Sequence, residues 1–543
     1  GRLTHAYQPL GKLESIFQYI SLGQLEYTSS PDEGEAWFKY RKDGQIRYSQ
    51  NSKQADPNAD NNPADAEFSY TNYDSKGRPV ESGVVKSTAF TSANPDGSLP
   101  SGTKSEVQST VYDKLTTTDL SFLSGVHSSY SSPGFLAGNV AKTSNDNSTT
   151  YYSYDVYGRV IWMVQNIVGL GNKSIDYSYD PVTSEVLRVD YQKHTHGERF
   201  IHKYTYNTVG QLIEVRTGAS DADLKLQASY EYYETGALKR KEIGNGLQGM
   251  DYVYTLEGAL KSINHPDLTA TRDPGGDAND LFGMTVHYNS DDYLRTNTPK
   301  PIDNSALGTD QYNGNIKGIE WKTHGLPKSN YYYDYNRNNW LEGAEFNVGL
   351  EGGGATTNLI LNSPTSGDYV DTNSITLKPG FVAASGTNFS ASIGTGSSDA
   401  YRVEDITYDA NGNILTLKRN SAAGKMDNLS YNYKTNKNQL DYVNDAVTGN
   451  TEANDIKDQS AGNYMYNAIG QLTHNAQDNT TYTYNTAGRV TEVTDGSQSV
   501  RFAYDDKGQR VKKEVWNGST LSYTNFYVRD AAGSVLAIYT GNT

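Results

Sequence analysis

A nine-residue word written twice constrains this chain more than any other feature: YTYNTVGQL at residues 204–212 returns as YMYNAIGQL at 464–472. Recurrence of a word is the mark of a repeat architecture, so its meaning lies in the local structure it encodes. Tyr204 and Tyr206 are two apart and share one face of a strand, because side chains alternate with period two. Asn207 and Gly210 then bracket a type I turn. A short Asx side chain can bond nearby amides at its first position, and Gly reaches positive φ without Cβ strain at its fourth. Leu212 and Val215 resume an apolar pattern in a second strand. One word therefore predicts one β-hairpin.

Close copies read YSYDVYGRV at 152–160, YDANGNI from Tyr408, YTYNTAGRV at 482–490 and YDDKGQRV from Tyr504. The structural repeat residues they supply are Tyr154, Asp155 and Gly158; Tyr206, Asn207 and Gly210; and Tyr408, Asp409 and Gly412. Later copies add Tyr466, Asn467 and Gly470; Tyr484, Asn485 and Gly488; and Tyr504, Asp505 and Gly508. Looser versions begin at Tyr7, Tyr19, Tyr40, Tyr73, Tyr232 and Tyr254. In two variants Asn339 and Asp292 stand where Gly is expected. Asn and Asp are the side chains that best tolerate left-handed backbone, so the turn survives there.

Composition fits an all-β chain of an unusual kind. The 543 residues include 44 Tyr, 51 Gly and no Cys. Counted without Tyr and with Gly, apolar residues make up about 36%, against roughly 45–50% for an ordinary globular domain. A thick two-layer core is not expected. A sheet with one packed face and one Tyr-lined or wet face suits the numbers better, since Tyr brings apolar area and a hydroxyl that meets water.

The spacing Y-[DN]-x-x-G-[RQN]-[VLI] at roughly 20-residue intervals resembles the YD repeats of the Rhs family, found in bacterial polymorphic toxins, toxin-complex C subunits and teneurins. The resemblance implies hairpins joined into one long spiralling sheet that forms a hollow shell, often enclosing a toxic C-terminal domain. On that reading residues 1–340 and 401–543 are shell, and 341–400 are a Gly/Ser/Thr-rich β insertion with a single tyrosine, Tyr369. Within the insertion, ITLKPGFVAASGTNFSASI at 375–393 resembles short β-segments of proteins exported by the bacterial type IX route. Residues 49–66, SQNSKQADPNADNNPADA, read as an exposed loop.

Two clusters invite a metal. His194 and His196 are expected on one strand face with His202 beyond a turn, and imidazoles can bind a transition metal; the plainer reading is a solvated hairpin tip. Asp273, Asp277 and Asp280 surround a Gly-Gly turn in RDPGGDANDLF, where hard carboxylates can hold Ca²⁺. The plainer reading there is a polar turn whose Asp residues bond locally. Apart from that Ca²⁺, no cofactor is expected.

The catalytic patterns G-x-S-x-G, H-E-x-x-H, Walker A and C-x-x-C do not occur. RDAAGSVLAI near the C-terminus resembles the H-x-D-x-x-G-S hairpin of Rhs proteins, with Asp530, Gly533 and Ser534 matching and the self-cleavage segment missing. No enzymatic residues are therefore assigned. A net charge of −16 argues against nucleic acid or an anionic membrane as partner, and no apolar run of transmembrane length occurs. The expected role is a non-enzymatic, exported bacterial shell, secreted or at the cell surface. Its partners are a C-terminal effector of the same polypeptide and the export machinery. The alternative is a cell-surface adhesion module that binds a protein or glycan. Gly1 opens mid-word and the last hairpin has no cap, so a longer polypeptide is expected.

Overall fold

A computed structural model describes residues 1–9, 13–293, 308–348, 399–449 and 452–541, together with the backbone of four short strands between 349 and 398. The described chain is an antiparallel meander in which nearly every strand pairs with the next one in sequence. Twenty-seven strands form one sheet and the last eight, from Tyr464 to Gly541, form a second.

The repeat word dictates the hairpin geometry. In YTYNTVGQL the Gly210 amide donates to the Asn207 carbonyl at 3.1 Å, and the Asn207 amide to the Gln211 carbonyl at 2.9 Å. The Asn207 side-chain Oδ1 accepts from the amides of Val209 and Gln211. Gly210 sits at φ 83°, the left-handed region. The register then slips between Thr205 and Tyr206, so Tyr206 faces Leu212 and one residue bulges out. The same amide pair recurs at Asp155–Arg159, Asp409–Asn413, Asn467–Gln471, Asn485–Arg489 and Asp505–Gln509. Asn339, at φ 63°, closes its turn without Gly.

Insertions supply what the thin sheet lacks. The helix Thr117–Val126 starts at a capping box on Thr116 and Asp119, and its Leu123 packs with Tyr130, Tyr151, Trp162 and Val164. Residues 87–102 cover a second cluster, Tyr48, Phe68, Tyr70 and Val85, with Phe90 and Ala93. The 49–66 segment departs from the loop expected there. Ser49–Asn51 complete a strand, Ser52–Ala55 form a capped helical turn, and Gln54 is buried. Its local order comes from Asn51, which accepts the Gln54 amide in a reciprocal cap that the Asp/Asn-rich composition disguises.

The 341–400 stretch opens on the strand Leu341–Val348. Sheet pairing resumes across it, with Ala344 opposite Val403. Inside it, Leu359–Leu361 pairs parallel to Ile375–Leu377, and Gly367–Asp371 parallel to Phe389–Ile393. The remainder of 375–393 lies outside the described residues. No described helix is long and apolar enough to cross a membrane.

Candidate functional site

Each letter of the repeat has a use that a single hairpin does not disclose. The Tyr before the turn reaches back one repeat and donates its phenol to the carbonyl of the apolar residue that ends the previous word. Tyr179 donates to Val160 at 2.8 Å, Tyr206 to Val186 at 3.0 Å, Tyr232 to Leu212 at 2.8 Å and Tyr433 to Ile414 at 2.9 Å. Tyr154, Tyr408, Tyr484 and Tyr504 do the same with Val140, Leu341, Leu472 and Val490. These carbonyls lie beyond the last residue that their strands pair with the following strand; Leu212, for example, faces Tyr206 on one side but precedes the Glu214–Ser229 pair on the other. The phenol therefore extends interstrand bonding into the turn, where backbone ladders run out. Tyr466 donates to Leu440 at 3.0 Å, carrying this ladder across the gap between the two sheets.

The four rings Tyr464, Tyr466, Tyr482 and Tyr484 are each more than half buried. Stacked tyrosine pairs run along single strands, as in Tyr152–Tyr154 and Tyr177–Tyr179, whereas Tyr27–Trp37 and Trp321–Tyr331 pack across neighbouring strands. Burial pushes the Tyr154 phenol up to about 12, which keeps it a donor at every physiological pH. Tyr206→Phe should cost about 0.5–1.5 kcal/mol by removing one such bond. Equal denaturation midpoints for the variant and the parent protein would show that the carbonyl needs no donor.

The turn glycines carry a second expectation. At Gly488, whose φ is 77°, an added Cβ would meet only the Gln471 side-chain amide nitrogen, at 3.4 Å. Gly488→Val should cost on the order of 1–3 kcal/mol from backbone strain, and Gly488→Asn less. Thermal melts that rank Val and Asn alike would refute the assignment.

The late hairpins return to the early ones. Asn438 bonds Gln8 and Asp32, at sequence separations of 430 and 406 residues. Glu106 accepts from the Thr486 amide at a separation of 380. Asn145 and Asn147 both donate to the Tyr504 carbonyl, the first at a separation of 359. The Ala531 amide donates to the Tyr177 hydroxyl at 354, and Tyr539 to Glu198 at 341. The seam begins turn against turn and ends face on face. There Val511 and Val528 of the second sheet complete a core with Tyr152, Met163, Ile167, Ile175, Val189 and Tyr191 of the first. The hairpin that carries Asp530, Gly533 and Ser534 lies in this seam. The Asp530 amide donates to the Ser534 carbonyl and the Gly533 amide to the Asp530 carbonyl, which closes its turn.

Glu198 holds the end of the seam. It accepts from Lys173 Nζ at 2.6 Å, Gln192 Nε2 at 3.0 Å and the Tyr539 hydroxyl at 2.9 Å. These donors, Lys173 first, hold its carboxyl down at about 2. A depressed carboxyl stabilises the fold above its unfolded value, near 4.5, and loses that contribution as pH falls toward 2. Glu198→Gln should therefore lower the melting temperature at pH 7 and have little effect at pH 2. A deficit that is equal at both pH values would dissociate Glu198 from the seam.

The histidines do not form a metal trio. His194 and His196 lie in the turn between Val186–Tyr191 and Phe200–Tyr206, not on a strand, because Tyr191 ends its strand and Gln192 begins a turn. His194 stacks flat on His127, ring centroids 3.6 Å apart. Burial, then the neighbouring His127, lowers its pKa. His202 stacks on Tyr204 instead.

The aspartates do gather. Asp273 and Asp280 are buried, and Asp277 is partly covered. Two groups that the motif did not include join them from the hairpin Leu238–Tyr254, where Arg240 sits opposite Asp251. Arg240 bonds Asp251 and Asp277, each at 2.5 Å. Burial, then the charge of Asp273, pushes Asp251 up to about 6, and the same two causes push Asp280 up to about 7. The hairpin register is the one sequence signal that leads to Arg240 and Asp251, once both flanking turns are used to set it. A second acidic group, Asp427, Asp445 and Asp455, has its charge met by Arg419, which bonds Asp427.

Residues 484–520 match the family model described as RHS Repeat. No curated protein matches the chain. Among solved structures, the crystal structure of TcdB2-TccC3 without its hypervariable C-terminal region aligns with a TM-score of 0.58 at 14% identity, over 97% of this chain and 22% of that one. The TcdB2-TccC3-Cdc42 crystal structure aligns at 0.57 with 15% identity, over 96% and 22%. A Photorhabdus luminescens Tc holotoxin pore gives 0.57 and 15%, again over 96% and 22%. The chain spans about a fifth of the length of these structures, and at such identities the likeness is one of fold. The word, its turn and its phenol bond recur from Tyr40 to Tyr504, so the chain is built of one repeated hairpin that matches the RHS Repeat model at residues 484–520 and shares its fold with the TcdB2-TccC3 structures.

Proposed function

We propose that this chain is a non-enzymatic stretch of shell wall from an exported bacterial protein, and that the complete polypeptide encloses and helps deliver a C-terminal effector. The observation that carries the reading is the seam. Late repeats bond early ones over separations that fall from 430 to 341 residues, as a sheet coiling upon itself requires. A coiled sheet closes a wall with hairpins that each bury little, which suits a Tyr-rich, apolar-poor sequence. In this reading residues 1–340 and 401–543 are wall and 341–400 an insertion. The fold shared with the TcdB2-TccC3 structures supports the wall; enclosure, effector and export are inferences from it.

Limited proteolysis of the complete gene product tests the proposal. A C-terminal fragment that resists protease while the shell is folded, and is digested once urea unfolds it, is the expected result. A C-terminal segment digested at the same rate in both conditions would overturn enclosure and leave surface binding as the better reading.

A further inference from the structure

Four carboxylates converge beside the Asp273–Asp280 turn with one cation among them. Asp251, Asp273 and Asp277 each bring an oxygen within 4.8 Å of the others. That spacing fits a common centre about 2.3–2.6 Å from each oxygen, the range of Ca²⁺ ligands. Asp273 Oδ2 accepts the Asp277 amide at 3.0 Å, but Oδ1 receives no hydrogen bond although the residue is 0% exposed. Asp280, 1% exposed, accepts from Gln248 through Oδ1, and its Oδ2 likewise receives none, the two carboxylates standing within hydrogen-bond reach of each other with no donor between them. Fully buried carboxylate oxygens without donors are costly unless a cation or a proton meets them.

The surroundings are shaped to hold this charge. A Cβ on Gly275 would come within 2.2 Å of Arg240 Nη1 and of Asp251 Oδ2, and one on Gly249 within 2.4 Å of Asp277 Oδ2. At either position any larger residue would push these side-chain ends out of the cluster. Arg240 meets Asp251 and Asp277 from one side, so three negative charges remain when all four groups are ionised. The donors are all oxygens, the preference of a hard divalent ion, with no imidazole or thiolate among the three.

We propose that Asp251, Asp273 and Asp277 form a Ca²⁺ site, with Asp280 as the fourth carboxylate beside Asp273 and Arg240 as the fixed counter-charge. The ion adds to the bonds that already tie the 264–281 connection to the hairpin Leu238–Tyr254, those of Gln248 with Asp280 and Leu281, of Asn264 with Asp251 and of Arg240 with Asp277, and offsets the repulsion among the carboxylates.

Calorimetric titration of the EDTA-treated chain with CaCl₂, alongside thermal melts, tests this. The unsubstituted protein should take up Ca²⁺ and melt at a temperature that rises with its concentration. Asp277→Asn, at the least buried ligand, should weaken uptake at least tenfold and abolish most of the rise. Asp280→Asn serves as a second variant should the first fail to fold. No uptake at about 10 mM, above the weakest range of extracellular Ca²⁺ modules, would overturn the site. Uptake unchanged in a folded variant would overturn it too, as would variants that gain stability without binding any ion, since a shared proton would then suffice.

Discussion

Gly470→Ala should destabilise the protein far more than Gly158→Ala, although the two residues occupy the same place in the repeat. Their backbones are alike, at φ 79° and 78°, so a new Cβ meets the same left-handed penalty of about 1–2 kcal/mol. Their surroundings differ. A Cβ at position 158 has nothing within 4 Å, whereas at 470 it would lie 2.5 Å from the Asp32 carbonyl oxygen across the seam. That oxygen is backbone and also accepts from Gln439 Nε2 at 3.0 Å, so it cannot swing away. The clash should add about 1–3 kcal/mol, typical of overpacking. Denaturant midpoints for the two variants provide the measurement. Equal losses would mean that the turns at 31–34 and 467–470 do not press together in solution.

Arg240→Met should cost about 3–5 kcal/mol, the loss expected when one partner of a buried ion pair is removed and the other stays charged. Arg240 is the only cation bonded to Asp251 and Asp277 among the described residues, and Asp251 is nearly fully buried. The loss should shrink on acidification. Asp251 and Asp280 already titrate above the ordinary carboxylate range, so protonation relieves the excess charge in the folded state before it occurs in the unfolded one. Folding stability supported by such groups is present below the unfolded value and declines as pH rises through the folded one. Melts of the variant in EDTA at pH 5 and pH 7.5 should therefore converge toward the parent protein at the lower pH. A deficit independent of pH would point to lost packing of the arginine stem rather than to charge.

Much of the hairpin is legible in the sequence because its causes are local. The Asx cap, the left-handed Gly and the period-two Tyr pair all act within seven residues, and the described turns realise them from Asp155–Gly158 to Asp505–Gly508. At 49–66 composition misleads, because the reciprocal Asn51–Gln54 cap orders a segment whose Asp, Asn and Pro content suggests a loop. Strand alternation misleads at the histidines, because it cannot be extended beyond Tyr191, where the chain has already turned. At the acidic loop, Asp273 and Asp277 are visible as neighbours in sequence, but Asp251 and Arg240 come from another hairpin and enter only through strand register.

By itself the sequence determined an all-β meander of Tyr-Asx-Gly hairpins, because turn chemistry and side-chain alternation depend on near neighbours alone. Only the tertiary structure decided that phenols such as those of Tyr206 and Tyr504 bond the carbonyl of the preceding repeat, that Asp32 meets Asn438 and Tyr177 meets Ala531, and that four aspartates gather around one arginine. Those contacts follow from strand lengths and twist accumulated over some 27 strands, and no window of the sequence contains that sum.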